Sequence, residues 1–101
     1  MAFFTLWWRD QTDDTKATFK QYIKEGRIEF VNGGWSMNDE ACPYYLDIIE
    51  NMRVGHQFLQ KEFGITPNIG WHPDPFGHST ANQYLFTEMG IEAIFFSRLD
   101  Y

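Results

Sequence analysis

Apolar positions along the chain alternate between stretches of period three to four and short continuous runs. Thr12-Asp13-Asp14 offers a cap and first-turn carboxylates, after which Phe19, Tyr22 and Ile23 share one helical face. Lys20 and Lys24 suit the negative end of that helix, and Gly26 suits its termination. A short strand is expected over residues 28–31, ending in Asn32-Gly33-Gly34. The clearest helix follows, with Pro43 fitted to its first turn and Gly64 to its close. Tyr45, Ile48, Ile49, Met52, His56, Leu59 and Phe63 recur there at spacings of three and four, which describes one buried stripe. Residues 68–72 then read as a strand stopped by Pro73 and Pro75. Ser79 or Thr80 can cap a third helix, with Ala81, Tyr84, Leu85 and Met89 on its apolar face. Gly90 ends it, and residues 91–96 read as a buried strand.

Three helices alternating with three short strands predict a parallel sheet in an α/β fold. In such folds ligands sit at the carboxyl ends of the strands. The first predicted strand is followed by Trp35, Asn38, Asp39 and Glu40, the second by Asp74, Phe76 and His78, and the third by Arg98, Asp100 and Tyr101. The side chains able to do chemistry thus gather on one predicted rim.

Composition narrows the classes. The 101 residues, 44% hydrophobic, suffice for one small core and not for two domains. The aromatic share of 19% fits a core or a cleft that stacks on sugar rings, and composition leaves both open. A net charge of −6 with scattered Lys and Arg offers no basic stripe, which argues against nucleic-acid binding. One cysteine, Cys42, excludes an internal disulfide framework and a thiolate zinc cluster. The longest apolar runs, at residues 2–4 and 94–96, are far too short to span a membrane. The first ten residues lack the basic start and small-residue cleavage site of a signal peptide, so no targeting segment is expected.

Asp74 stands between two prolines. Pro75 pushes it out of helical geometry and Pro73 fixes its own φ, so its carboxylate rides on a stiff stem. Such a carboxylate suits a nucleophile or a metal ligand, and it also suits a plain Asp-Pro turn. Gly77 allows a sharp turn before the third helix. His72, Asp74 and His78 could form a local metal site, although Pro73 disturbs the alternation that would make the first two converge. The other role for His78 is to orient the loop or a neighbouring carboxylate. His56, on the apolar stripe, reads as a satisfied core histidine.

The segments Gly33-Gly34-Trp35-Ser36-Met37-Asn38-Asp39-Glu40-Ala41, Trp71-His72-Pro73-Asp74-Pro75-Phe76-Gly77-His78-Ser79 and Phe95-Phe96-Ser97-Arg98-Leu99-Asp100-Tyr101 resemble glycoside hydrolase family 38. Met52, Gly55, Phe58, Leu59 and Phe63-Gly64 fall between them, and the likeness is to the lysosomal-type α-mannosidases in particular. It extends over nearly the whole chain, including Phe3-Phe4 and Trp7-Trp8, so residues 1–101 are expected to be part of an N-terminal catalytic domain of the (β/α) barrel type. The resemblance implies a retaining, zinc-dependent hydrolase of terminal α-mannose in oligosaccharides or N-glycans. It makes Asp74 both nucleophile and zinc ligand, and places Phe76 and Arg98 against the sugar. It also implies a lysosomal or other secretory-pathway lumen.

Pro73 stands where the family usually has an aliphatic residue, which stiffens the strand end. The family's other Zn²⁺ ligands, in an upstream His-x-Asp motif and a distant downstream histidine, lie outside this chain, as does the acid/base aspartate. The 101 residues alone are therefore expected not to hydrolyse α-mannosides, with Met1 an internal methionine of a longer reading frame. The competing expectations are a non-catalytic carbohydrate-binding remnant or pseudoenzyme, and a metal-dependent deacetylase on a related barrel, which the Gly-Gly-Trp and Arg98-Leu99-Asp100-Tyr101 matches oppose.

Overall fold

The computed structural model describes residues 1–99, so Asp100 and Tyr101 of the expected rim lie outside the described residues. The described chain runs α1 (Ala2–Arg9), α2 (Asp13–Lys24), α3 (Tyr45–Phe63), β1 (Ile69–His72), α4 (Thr80–Glu88) and β2 (Ala93–Phe96). The class is α/β, as expected. The counts differ: four helices and two strands stand among the described residues where three of each were expected.

Local chemistry sets the helix ends. Thr12 caps α2 by accepting the Thr15 N–H, Asp13 and Asp14 occupy its first turn, and Lys24 its last. Gly64 closes α3 in the left-handed conformation, φ 72°, which costs glycine nothing. Pro43 lies before the N-cap residue Tyr44 and therefore outside the helix. The stripe of α3 buries Ile48, Met52 and Leu59, while Tyr45 at its start is exposed.

Two apolar clusters line opposite ends of α3. Ile48 and Met52 pack with Phe86 and Ile91, flanked by Leu85, Met89 and Ile94. Toward the other end, Phe4 of α1 lies 5.1 Å from Phe30 and 5.5 Å from Phe19, and Trp8 lies 4.8 Å from Phe63. These aromatics fill a core, which settles for them the choice that composition left open.

The strand expected at residues 28–31 does not form. Phe30 is drawn into the aromatic cluster, and Asn32 turns to φ 56°, which ends the extended run before a ladder can grow. One main-chain bond remains, from Asn32 N–H to Ile69 O at 2.8 Å. The Asn32 side chain supplies the rest, accepting from Trp71 N–H at 2.7 Å and donating to Trp71 O at 2.6 Å. A side-chain amide thus stands in for a neighbouring strand along the edge of β1.

β1, α4 and β2 form a βαβ unit. The strands are parallel, with Ile69 opposite Ala93 and His72 opposite Phe96. Two expectations for this unit need correction. The buried face of α4 carries Asn82 and Phe86 with Leu85 and Met89 beside them, whereas Ala81 and Tyr84 are exposed. The face is rotated because Asn82, a polar residue, occupies a core position. The strand β2 is mostly open, with Phe95 59% and Phe96 55% exposed. Among the described residues it pairs on one edge only, so its outer edge and much of its surface meet solvent.

Candidate active site

The carboxyl ends of the two parallel strands bring together side chains that are far apart in sequence. β1 ends at His72 and passes through Pro73 to Asp74, and β2 ends at Phe96 and passes through Ser97 to Arg98. The Ser97 hydroxyl donates to the Pro73 carbonyl and ties the two strand ends to each other. Immediately beyond, Arg98 Nη2 lies 3.4 Å from Asp74 Oδ1, and the Arg98 guanidinium sits 5.5 Å from the centre of the Phe76 ring. Asp74, Phe76 and Arg98 therefore meet at one place. All three face solvent, the Asp74 side chain being 78% exposed, which leaves the carboxylate and the ring open to a ligand.

The loop carrying Asp74 is tightly seated. Gly77 adopts φ 82°, and a Cβ there would fall 2.6 Å from Ala41 Cβ, so both backbone freedom and lack of a side chain are needed. The loop packs on the residues that follow Asn38 and Glu40, two other members of the expected rim. Those two point inward. Asn38 Nδ2 donates to Asn82 Oδ1 at 2.7 Å, and Glu40 Oε1 lies 3.1 Å from His72 Nδ1, all four residues being buried. Asp39 stays outside, where it accepts the Ala41 N–H. That bond holds its carboxyl below the usual carboxylate range, and the Asp39 carboxylate in turn raises the Cys42 thiol.

The local metal site weighed for His72, Asp74 and His78 is not built. His72 turns into the core, edge-on to Phe86 at 5.3 Å, while Asp74 projects into solvent. Pro73 disrupts the alternation that would have put them on one face. His78 instead lines a cavity of about 480 Å³ between α4 and β2, together with His72, Ser79, Gln83, Ile94 and Phe96. Asp74 does not line this cavity, so the cavity and the exposed carboxylate are separate features. His56 accords with expectation: it is half-buried on α3, with Nε2 2.7 Å from the Asn32 carbonyl oxygen.

The side chains that sequence patterns overlooked are Asn82 and Gln83, which bring polar groups of α4 to Asn38 and Glu40. Residues 82, 85, 86 and 89 do follow helical spacing, but an asparagine at the first of them hides the stripe.

Comparison with known proteins gives a consistent answer along the full length. The description "Glycosyl hydrolases family 38 N-terminal domain" matches residues 1–101. An α-mannosidase of Arabidopsis thaliana is 48% identical over 102 residues, covering 100% of this chain and 10% of the relative. The α-mannosidase of Canavalia ensiformis shows the same identity and coverage. The lysosomal α-mannosidase of Bos taurus is 48% identical over 103 residues, again 100% of this chain and 10% of the relative. The chain spans about a tenth of the length of the curated relatives it matches.

Proposed function

The chain belongs to glycosyl hydrolase family 38, and from that premise we propose that it forms part of a retaining α-mannosidase in which Asp74 is the nucleophile. The observation that carries this reading is the meeting of Asp74, Arg98 and Phe76 beyond the ends of two parallel strands. In α/β folds that location is where ligands bind. The substrate class is a terminal α-mannose of an oligosaccharide or N-glycan, in keeping with the α-mannosidase relatives. A lysosomal or other secretory-pathway lumen is proposed on the names of the lysosomal relatives. Among the described residues no helix is long and apolar enough to cross a membrane. The wider architecture proposed is a (β/α) barrel-type domain in which β1 and β2 are neighbouring strands.

Each group has a task in this scheme. An Asp74 carboxylate oxygen attacks the anomeric carbon as the glycosidic C–O bond breaks. The leaving oxygen takes a proton from a second carboxyl group about 5–5.5 Å away. Water, deprotonated by that same group, then displaces Asp74 from the sugar, so the configuration is retained. Arg98 donates to Oδ1 and aims the carboxylate, and the exposed Phe76 ring packs on the apolar face of the pyranose. Asp74 also offers a solvent-facing oxygen of the kind that Zn²⁺ binds. A catalytic zinc takes about three protein ligands, and among the described residues no three His, Cys, Asp or Glu side chains converge. The remaining ligands and the acid/base are therefore proposed to come from elsewhere in the protein. When bound, zinc would supply Lewis acidity toward the sugar hydroxyls.

The test is aryl α-mannoside hydrolysis by the product of the full reading frame that carries these residues, since the 101 residues alone are expected to be inactive. Asp74→Asn abolishes turnover, chelation removes it, and added Zn²⁺ restores it in the native protein. Turnover that survives both Asp74→Asn and chelation overturns the proposal. Sugar binding without any turnover in the native protein favours the non-catalytic carbohydrate-binding alternative.

A further inference from the structure

A buried carboxylate joins the two ends of the loop that carries Asp74. The Glu40 side chain is 1% exposed. Its Oε1 meets His72 Nδ1 at 3.1 Å, at the last residue of β1. Its Oε2 accepts the Ser79 backbone N–H at 2.9 Å, at the N-cap of α4. Gln83 Nε2, one turn along α4, approaches both oxygens at 3.3 and 3.4 Å. Ser79 makes no side-chain cap bond of its own, and Glu40 accepts the main-chain N–H of this N-cap residue, which sets a carboxylate at the positive end of the helix.

Burying a carboxylate is costly unless its hydrogen bonds are met, and a role in packing alone would be served by an apolar side chain of similar volume. Here the bonds go to the residues on either side of residues 73–78. Two other contacts press the same segments together: the buried Asn38–Asn82 bond of 2.7 Å, and Gly77 lying so close that an added Cβ would fall 2.6 Å from Ala41 Cβ.

We propose that Glu40 is a positioning residue for Asp74, spanning the loop ends so that Asp74 and Phe76 stand against Arg98. The proposal rests on the reading of Asp74 as the reactive carboxylate. Its chemistry requires a carboxylate and not an amide. The Ser79 N–H donates to one oxygen, and the other oxygen accepts from His72 when the imidazole carries its proton on Nδ1, so a carboxylate can serve both ends of the loop. A glutamine of the same shape has one acceptor and one donor, so it must lose one end or force His72 to carry its proton on Nε2. That nitrogen is buried and has no hydrogen-bond partner among the described residues, so the second course is also unfavourable.

The experiment is amide hydrogen exchange on the chain, with ring ¹⁵N spectra of His72, for the native protein, Glu40→Gln and Glu40→Asp. In the native protein His72 is the Nδ1–H tautomer and the Ser79 amide is protected. In Glu40→Gln, exchange at residues 76–79 rises by about ten- to a hundredfold, the factor that losing one charge-assisted hydrogen bond represents. The α3 amides of Met52 and Leu59 keep their native protection. Glu40→Asp, one methylene shorter, fails to reach both ends and gives the same local pattern with the His72 tautomer unchanged. Native exchange at residues 76–79 in both variants, or an equal rise throughout α3, overturns the proposal. So does failure of both variants to fold, which would make Glu40 a folding element. In the α-mannosidase assay Glu40→Gln lowers kcat by about a hundredfold, the effect of a small misplacement of a reacting group, with KM near native. If the product of the full reading frame that carries this chain turns over no α-mannoside, the proposed function fails, while the exchange data still decide whether Glu40 holds the loop.

Discussion

A methyl group added at Gly55 would lie 1.8 Å from the Gly33 carbonyl oxygen, well inside any non-bonded contact. The obstruction is main chain on both sides, so neither partner can swing away. Helix α3 and the Gly33-Gly34 turn must separate to admit even alanine. Gly55→Ala is therefore expected to destabilise the chain by about 2 kcal/mol or more, although alanine is the better helix former. Chemical denaturation checks this, and an unchanged midpoint would contradict the packing described. Asp74 shows how far single residues were legible. Its flanking prolines pointed to a carboxylate on a stiff stem at a strand end, and the structure places that carboxylate, exposed, beside Arg98. The same reasoning left His72 open as a metal ligand, because strand alternation alone does not show that a buried carboxylate lies on the core side. Glu40 was visible only as a member of a strand-end group. That its side chain points inward depends on His72 and Ser79, and no local pattern reports contacts with residues 32 and 39 positions away.

Elements were legible where caps and periodicity agree, and not where tertiary contacts replace them. α2 has Thr12 and Gly26 as its signals and α3 has Gly64, and both formed as expected. α1 gave no such signal: Phe3, Phe4, Leu6, Trp7 and Trp8 crowd its eight residues, no side chain caps it, and its aromatics are held by Phe19, Phe30, Phe58 and Phe63 of other segments. The lost strand at residues 28–31 is the opposite case, where a local pattern was overruled by Asn32. That residue combines a left-handed φ of 56° with an amide that pairs with the Trp71 main chain. Two substitutions separate these contributions. Asn32→Gly keeps the conformation and loses the side-chain bonds, at a cost of about 1 kcal/mol. Asn32→Ala adds the penalty of an ordinary residue in left-handed space, about 1 kcal/mol more. Both variants should expose the Trp71 amide to exchange. Equal stability of the two would show that the backbone conformation at residue 32 carries no strain.

At the scale of the whole molecule the two-stranded sheet is the feature that most needs explanation. Parallel strands ordinarily lie inside sheets covered on both faces, and stable sheets have three or more strands. Here Asn32 occupies the outer side of β1, while among the described residues β2 pairs with β1 alone. Around that open edge Phe95, Phe96 and Leu99 are 59%, 55% and 66% exposed, and Trp71 opposite Phe95 is 48% exposed. An unpaired edge flanked by apolar side chains is a template for further strand pairing. The molecule measures 47 × 23 × 22 Å, long and thin for a chain of this length, so little of it folds back to cover that edge. The chain is therefore expected to self-associate through β2 as its concentration rises. Phe95→Lys places a charge beside the edge without entering either core, since Phe95 belongs to neither apolar cluster. It should shift the chain toward monomer and leave its unfolding midpoint near native. Sedimentation velocity over a concentration series measures this directly. A native chain that stays monomeric throughout the series, or a Phe95→Lys chain that associates as strongly as the native one, would show that β2 is not the associating edge.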